Sequence, residues 1–279
     1  MKATHKLGTS IKRLAGALLI LGLTPTLTLA QPSADTAPPS DAATRGLEIA
    51  VEADRRDTGF GDLTAGMIMI LRNRHGEKST REIRNRTKEV DGDGDKTLII
   101  FDEPRDIKGT VLLNHAHILD PDDQWLFLPA LKRVKRISSA NKSGPFVGSE
   151  FAYEDITGQE LKKYRYKWLH DEPCASLACF VVERRPLYEN SGYTRLVTWY
   201  DKVDYRLQRV DYFDRKGDLL KTLTFGDYRK YLGKFRRAHV LSMVNHQTGK
   251  KTRLIYQAFK FKTGLHDRDF NRSSLKRAR

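Results

Sequence analysis

A mainly β fold, laid out as one long antiparallel meander with a few helices, is what this 279-residue sequence predicts. Three observations carry that prediction. Short apolar runs recur along most of the chain. Tight-turn signals separate them, among them Asp91-Gly92-Asp93-Gly94, Arg215-Lys216-Gly217-Asp218 and Gln247-Thr248-Gly249-Lys250. Apolar residues at helical spacing occur in few places.

The elements follow in order. Residues 1–30 read as a secretory signal peptide. Lys2, Lys6, Lys12 and Arg13 precede an uncharged, mostly apolar stretch that ends in Thr28-Leu29-Ala30, with cleavage expected after Ala30. The alternative is a membrane anchor, but the run is shorter than the roughly 20 apolar residues a span needs and is broken at Thr24-Pro25-Thr26. Residues 31–43, rich in Pro, Ser, Ala and Asp, read as a disordered leader, and residues 44–279 as a single domain. A helical stripe starts from Asp41, with Leu47, Ile49, Ala50, Val51 and Ala53 apolar, and ends at Gly59-Phe60-Gly61. Strand runs then occupy residues 65–74, 77–90, 97–101, 109–114, 124–136, 179–185, 193–201, 207–213, 219–228, 237–245 and 252–262, about ten or eleven strands in all. Residues 159–169 read as a helix.

Removing the four basic residues of the signal leaves 46 Lys and Arg against 35 Asp and Glu in the exported chain, a net charge of +11. Nucleic acid is the first partner such a balance suggests. Export argues against it and in favour of polyanions or a transient contact with an anionic membrane surface. Lys and Arg recur at alternate positions of the C-terminal strands, including Arg236, Arg237, Lys250, Lys251, Arg253, Lys260 and Lys262, which predicts a solvated basic face there. Cys174 and Cys179 are the two cysteines. In an oxidising compartment they can pair across a small loop; the alternative is two reduced, buried thiols.

Candidate chemistry is sparse. Asp91 to Asp95 resembles the start of a calcium loop, but the sixth and twelfth positions are Lys96 and Asp102 where Gly and Glu are needed, so it reads as a turn. His115 and His117 share a strand face near Asp120, Asp122 and Asp123. That arrangement reads as a polar strand end more readily than as a metal site. The chain carries no nucleophile elbow, phosphate loop or dinucleotide fingerprint, so neither a catalytic residue, a metal nor a cofactor is expected.

One segment is more specific. It reads Trp125-Leu126-Phe127-Leu128-Pro129, then a basic run through Arg133 and Arg136, then Gly144-Pro145-Phe146-Val147-Gly148-Ser149-Glu150-Phe151-Ala152-Tyr153-Glu154-Asp155. With the passage from the opening helix into Asp57-Thr58-Gly59-Phe60-Gly61-Asp62, the block from Pro104 through Gly109 and Thr110 to Leu113, and the ending near Phe270 and Leu275, it resembles the outer-membrane lipoprotein-sorting protein family, relatives of the periplasmic lipoprotein carrier LolA. The resemblance implies an incomplete antiparallel β-barrel of the LolA/LolB kind, covered by helices, whose apolar interior takes acyl chains. It also implies a non-enzymatic monomer in the periplasm that works beside an inner-membrane transporter of the resistance-nodulation-division (RND) superfamily.

Several strands are apolar on both faces at once, which independently suggests one face under a helix and another lining a cavity. On that reading Met67, Met69, Leu98, Ile100, Trp125, Phe127, Val197 and Trp199 are the candidate walls for lipid. Strand parity is left open, and the alternative to a cavity is a filled core between sheet and helices. Pro129, Arg133, Arg136, Gly148, Tyr153 and Asp155 are the candidate gating loop. There Pro129 stops a strand, and the arginines meet Glu154, Asp155 or lipid phosphate. The functional expectation is a carrier of acyl chains of lipids or lipoproteins towards the outer membrane. Its alternative is a module that carries no cargo and binds a transporter or envelope partner through the basic face.

Overall fold

The computed structural model describes residues 40–158 and 160–278. Residues 1–30, expected to be a signal peptide, and residues 31–39 of the expected leader lie outside them. Helix α1 spans Asp41–Asp57 and is capped by Ser40, whose Oγ accepts from the Ala43 amide. Residues 41–43, assigned above to the leader, are therefore its first turn. Gly46, Ile49 and Ala50 are its buried residues, whereas Leu47 and Val51 are 46% and 44% exposed. The inward stripe is narrower than the apolar pattern suggests, because the helix covers the rim of the sheet and not its middle. Gly46 makes this seat possible: a Cβ there would stand 2.6 Å from the Trp168 backbone nitrogen.

Thirteen strands follow, and all pair antiparallel in one sheet. They are β1 (Asp62–Arg72), β2 (Lys78–Lys88), β3 (Lys96–Glu103), β4 (Val111–His115), β5 (Asp123–Leu128), β6 (Arg133–Ile137), β7 (Tyr164–Cys174), β8 (Leu177–Pro186), β9 (Arg195–Asp201), β10 (Leu207–Phe213), β11 (Leu219–Tyr231), β12 (Phe235–Asn245) and β13 (Lys251–Phe261). The order across the sheet is β6-β5-β4-β3-β2-β1-β13-β12-β11-β10-β9-β8-β7. The first and last strands of the meander therefore meet in the middle, and β6 and β7 are the free edges of an open barrel. Two strands exceed the sequence-based count. Residues 124–136 split at Pro129, which ends β5 and starts a 3-10 turn at Pro129–Leu131 before β6. The helix read at 159–169 is in fact the 3-10 turn Leu161–Lys163 followed by β7. Its Tyr164, Tyr166 and Trp168 alternate with Arg165 and Lys167, a period of two that suits an edge strand.

Two layers of apolar side chains lie on opposite faces of the sheet. The concave face holds the main core, with Met69, Phe101, Phe146, Leu196, Tyr212 and Met243 among its fully buried members. On the convex face of β3 to β5, Leu98, Ile100, Leu113 and Phe127 are covered by the C-terminal segment through Phe270 and Leu275. Strands β3 to β5 are thus apolar on both faces because protein covers both.

Candidate functional site

The segment between β6 and β7 crosses the concave face and fills much of it. Short helix α2 (Tyr153–Ile156) sits at its centre. Phe146 and Phe151 enter the core, with Phe146 5.8 Å from the Phe101 ring and 5.6 Å from Tyr153. The Asp155 carboxylate accepts from Lys221 Nζ at 2.6 Å and from the Tyr193 hydroxyl at 2.8 Å. Glu154 accepts from Ser191 Oγ, the Tyr188 hydroxyl and the Gly192 amide. Burial pushes its carboxyl up, against the pull of the Gly192 amide and the two hydroxyls. The Glu150 backbone carbonyl takes a second bond from Lys221, and its carboxylate takes one from Asn245.

Asp155, expected at a gate, therefore belongs to a buried tie between the block and β11, and Tyr153, expected there too, packs half-buried on Phe146. Arg133 and Arg136, expected to meet Glu154 or Asp155, do not reach them. Arg136 pairs instead with Asp123 on the neighbouring strand, and Arg133 stands exposed on edge strand β6. Gly148 sits in a left-handed turn (φ +74°) beside the Arg81 guanidinium, which donates to the Val147 carbonyl. Pro129 has the strand-ending role expected of it.

Beside this filled half, a cavity of about 1220 Å³ opens under α1. Its roof is the C-terminal half of α1, from Ala50 to Asp57. Its floor and inner walls are Leu63, Tyr166, Tyr200, Phe225, Leu241 and Tyr256, all on the concave parity of their strands. Arg184 also reaches it. That side chain is 3% exposed, opposite Tyr166 in the β7–β8 register and 5.4 Å from the Tyr164 ring. The rim is charged on two sides. Glu89, Asp93, Asp95 and Glu160 line one side, and Arg206, Lys234, Arg236 and Arg237 the other. Burial, then the neighbouring Glu89, Glu160 and Asp57 carboxylates, push the Asp95 carboxyl up to about 7. Burial likewise raises Asp54 and Glu160.

Side chains of the sheet hold the roof in place. Arg45 stacks on Trp168 at 3.9 Å and Arg56 on Tyr205 at 4.5 Å. Arg56 also donates to the Val203 carbonyl and Lys234 to the Thr58 carbonyl, while Arg237 pairs with Asp57.

None of the eight wall candidates lines this cavity. Met67 and Met69 are on the concave face, but in its filled half. Leu98, Ile100, Trp125 and Phe127 lie on the convex face beneath the C-terminal segment. Val197 and Trp199 are on the convex face of β9, where the Trp199 indole donates to Glu172 and carries the Arg209 guanidinium 4.6 Å from its ring. The walls are instead tyrosines, phenylalanines and leucines, and the signal for them was the strand parity set by outward-facing basic residues. Leu254 and Tyr256 point inward because Arg253 points out.

The other sequence candidates resolve locally. His115 bonds the Phe270 carbonyl and His117 bonds Asp93, so the two imidazoles serve different partners. Among the described residues no group of acidic, His or Cys side chains is arranged to hold a metal. Asp91–Asp95 is the β2–β3 turn. Cys174 and Cys179 are joined by a disulfide across the β7–β8 hairpin, with Cα atoms 5.8 Å apart.

A family model described only as uncharacterized-protein-like matches residues 93–277. No curated protein matches the chain. Three solved structures are similar over most of its length. The crystal structure of an outer membrane lipoprotein-sorting protein domain from Vibrio parahaemolyticus is 56% identical, covers 84% of this chain and 99% of that one, and superposes with a TM-score of 0.83. A DUF1329 family protein from Desulfovibrio piger is 29% identical over 85% of this chain and 100% of its own, at a TM-score of 0.80. A LolA superfamily protein from Nitrosomonas europaea, at 19% identity and a TM-score of 0.66 over 84% of this chain and 99% of its own, shares the fold.

Proposed function

This chain belongs to the outer-membrane lipoprotein-sorting protein family, and on that premise we propose that it is a periplasmic, non-catalytic carrier that holds acyl chains of a lipid or lipoprotein in the cavity beneath α1. The cavity carries the reading. At about 1220 Å³ it is larger than the roughly 300–1,000 Å³ usual for small-ligand pockets. Its deep walls are aromatic and aliphatic, and one face is the C-terminal half of α1. Burial of acyl methylenes contributes about 0.8 kcal/mol each, so one 16-carbon chain supplies on the order of 10 kcal/mol before the costs of association. The tyrosine hydroxyls and Arg184 give the interior polar groups as well, which suits a ligand with a polar part.

The resemblance brings a partner with it, an inner-membrane transporter of the RND superfamily, and a monomeric carrier. The basic strands β12 and β13 support the alternative, an interaction module without cargo. Native mass spectrometry of gently purified protein and titration with a fluorescent fatty acid separate the two. The carrier reading expects co-purified lipid and saturable probe binding. It also expects Leu241→Trp, which fills the cavity from its wall, to weaken the probe while the melting temperature stays nearly unchanged. A wild-type protein that binds no probe and carries no lipid would leave the interaction module standing.

A further inference from the structure

At the far end of β1 from the cavity mouth, the convex face of the sheet carries a cluster of like charges. In the paired register Lys78 stands opposite Arg72, and Arg72 opposite Lys251. Neighbouring strands are about 4.8 Å apart, so three cations stand within roughly 10 Å. One row inward, Arg253 lies opposite Ile70. All four cations are exposed, and among the described residues none has an ion-pair partner. Glu77, the acid of the adjoining turn, is taken by Asn73. Like charges placed directly opposite in a sheet destabilise it, so the fold maintains this row at a cost that an external anion would offset.

A shallow hollow of about 290 Å³ lies among these residues, with Ile70 and Val244 in its wall. Ile68, Val240 and Ile255 continue the aliphatic strip as half-buried neighbours in the next rows. No aromatic side chain lines the hollow. Protein-binding hot spots are built on aromatic anchors in deep pockets, and this flat surface has neither. A cluster of cations at one end of a strip of aliphatic carbon is instead suited to the anionic headgroups of a lipid bilayer.

We propose that this face of β2, β1, β13 and β12 docks on an anionic phospholipid surface. The inference is independent of the carrier reading, because the patch and the mouth are at opposite ends of β1 and on opposite faces of the sheet, so that one can be occupied without blocking the other.

Co-sedimentation of the full exported chain with phosphatidylglycerol-containing vesicles tests it, with pure phosphatidylcholine vesicles as reference. The expected result is binding to the anionic vesicles alone that weakens with salt. Arg72→Gln/Lys251→Gln should weaken it roughly thirtyfold, since each cation near an anionic surface contributes about 1 kcal/mol. A charge-matched pair on exposed positions of β7, Arg165→Gln/Lys167→Gln, should retain it, and both variants should bind the fluorescent fatty acid like the wild type. Equal weakening by the two double variants would reduce the effect to net charge and overturn the proposal. So would binding to polyglutamate with none to the vesicles, which would assign the face to an acidic protein.

Discussion

Asp95 shows at the scale of one residue how the cavity rim is poised. It lies in the β2–β3 turn among Glu89, Glu160 and Asp57, and burial together with these carboxylates lifts it to about 7. In the unfolded chain it titrates near its ordinary value of about 3.9. The folded state therefore holds the proton more tightly than the unfolded state does. No penalty applies below about pH 4, stability is lost as pH rises from about 4 to about 7, and the loss is complete above that. Asp95→Asn is expected to raise the melting temperature at pH 8 and to leave it almost unchanged at pH 4. Thermal melts at the two pH values check this, and an equal shift at both would rule the mechanism out.

Among the secondary-structure elements, the β7–β8 hairpin is the clearest case of local reinforcement. Its disulfide closes a loop with a sequence separation of 5, so in the chain-entropy account it stabilises by about 2 kcal/mol. Denaturant unfolding with and without reductant should differ by about that amount. Mass spectrometry of the non-reduced exported protein should find no free thiol; two free thiols would refute the pairing.

How well an element could be read from sequence depended on whether its two faces differ. In β13 the exposed Lys251 and Arg253 alternate with the buried Thr252 and Leu254, so its inward side was legible. In β3 the run Leu98-Ile99-Ile100-Phe101 is buried on both sides, so periodicity could not assign the faces. That is why the sequence pattern offers Leu98 and Ile100 as cavity walls, although they lie under the C-terminal segment. Edge strand β7 was mistaken for a helix because Trp168 and Leu169 interrupt its alternation, at the place where the β7–β8 register shifts by one residue between Trp168 and His170. The cavity itself was illegible, since it depends on where α1 comes to rest.

The described residues form an open barrel, and on the carrier reading a ligand enters it in one of two ways: by lifting the α1 roof or by parting the seam between β6 and β7. The seam is crossed by the segment that fills the core, and its ties are buried. The Lys221–Asp155 pair is 4% and 2% exposed, and the Lys163–Asp122 pair 9% and 7%. Removing one partner from a buried pair typically costs about 3–5 kcal/mol.

The roof is held differently. Asp57 is 62% exposed although its partner Arg237 is 13% exposed, and Lys234 reaches a backbone carbonyl from an exposed position. Contacts with one partner in solvent are weaker than fully buried pairs and are screened by salt. The roof is thus the weaker closure, and it should open first. Arg237→Gln/Lys234→Gln is expected to speed exchange of the fluorescent fatty acid, to speed hydrogen exchange of the α1 amides, and to leave the melting temperature within about 2–3 °C of wild type. Higher salt should have the same effect on the wild type. Asp155→Asn should instead lower the melting temperature markedly. If the double variant leaves ligand exchange unchanged while Asp155→Asn speeds it out of proportion to the stability lost, the ligand enters through the seam and α1 is a fixed wall.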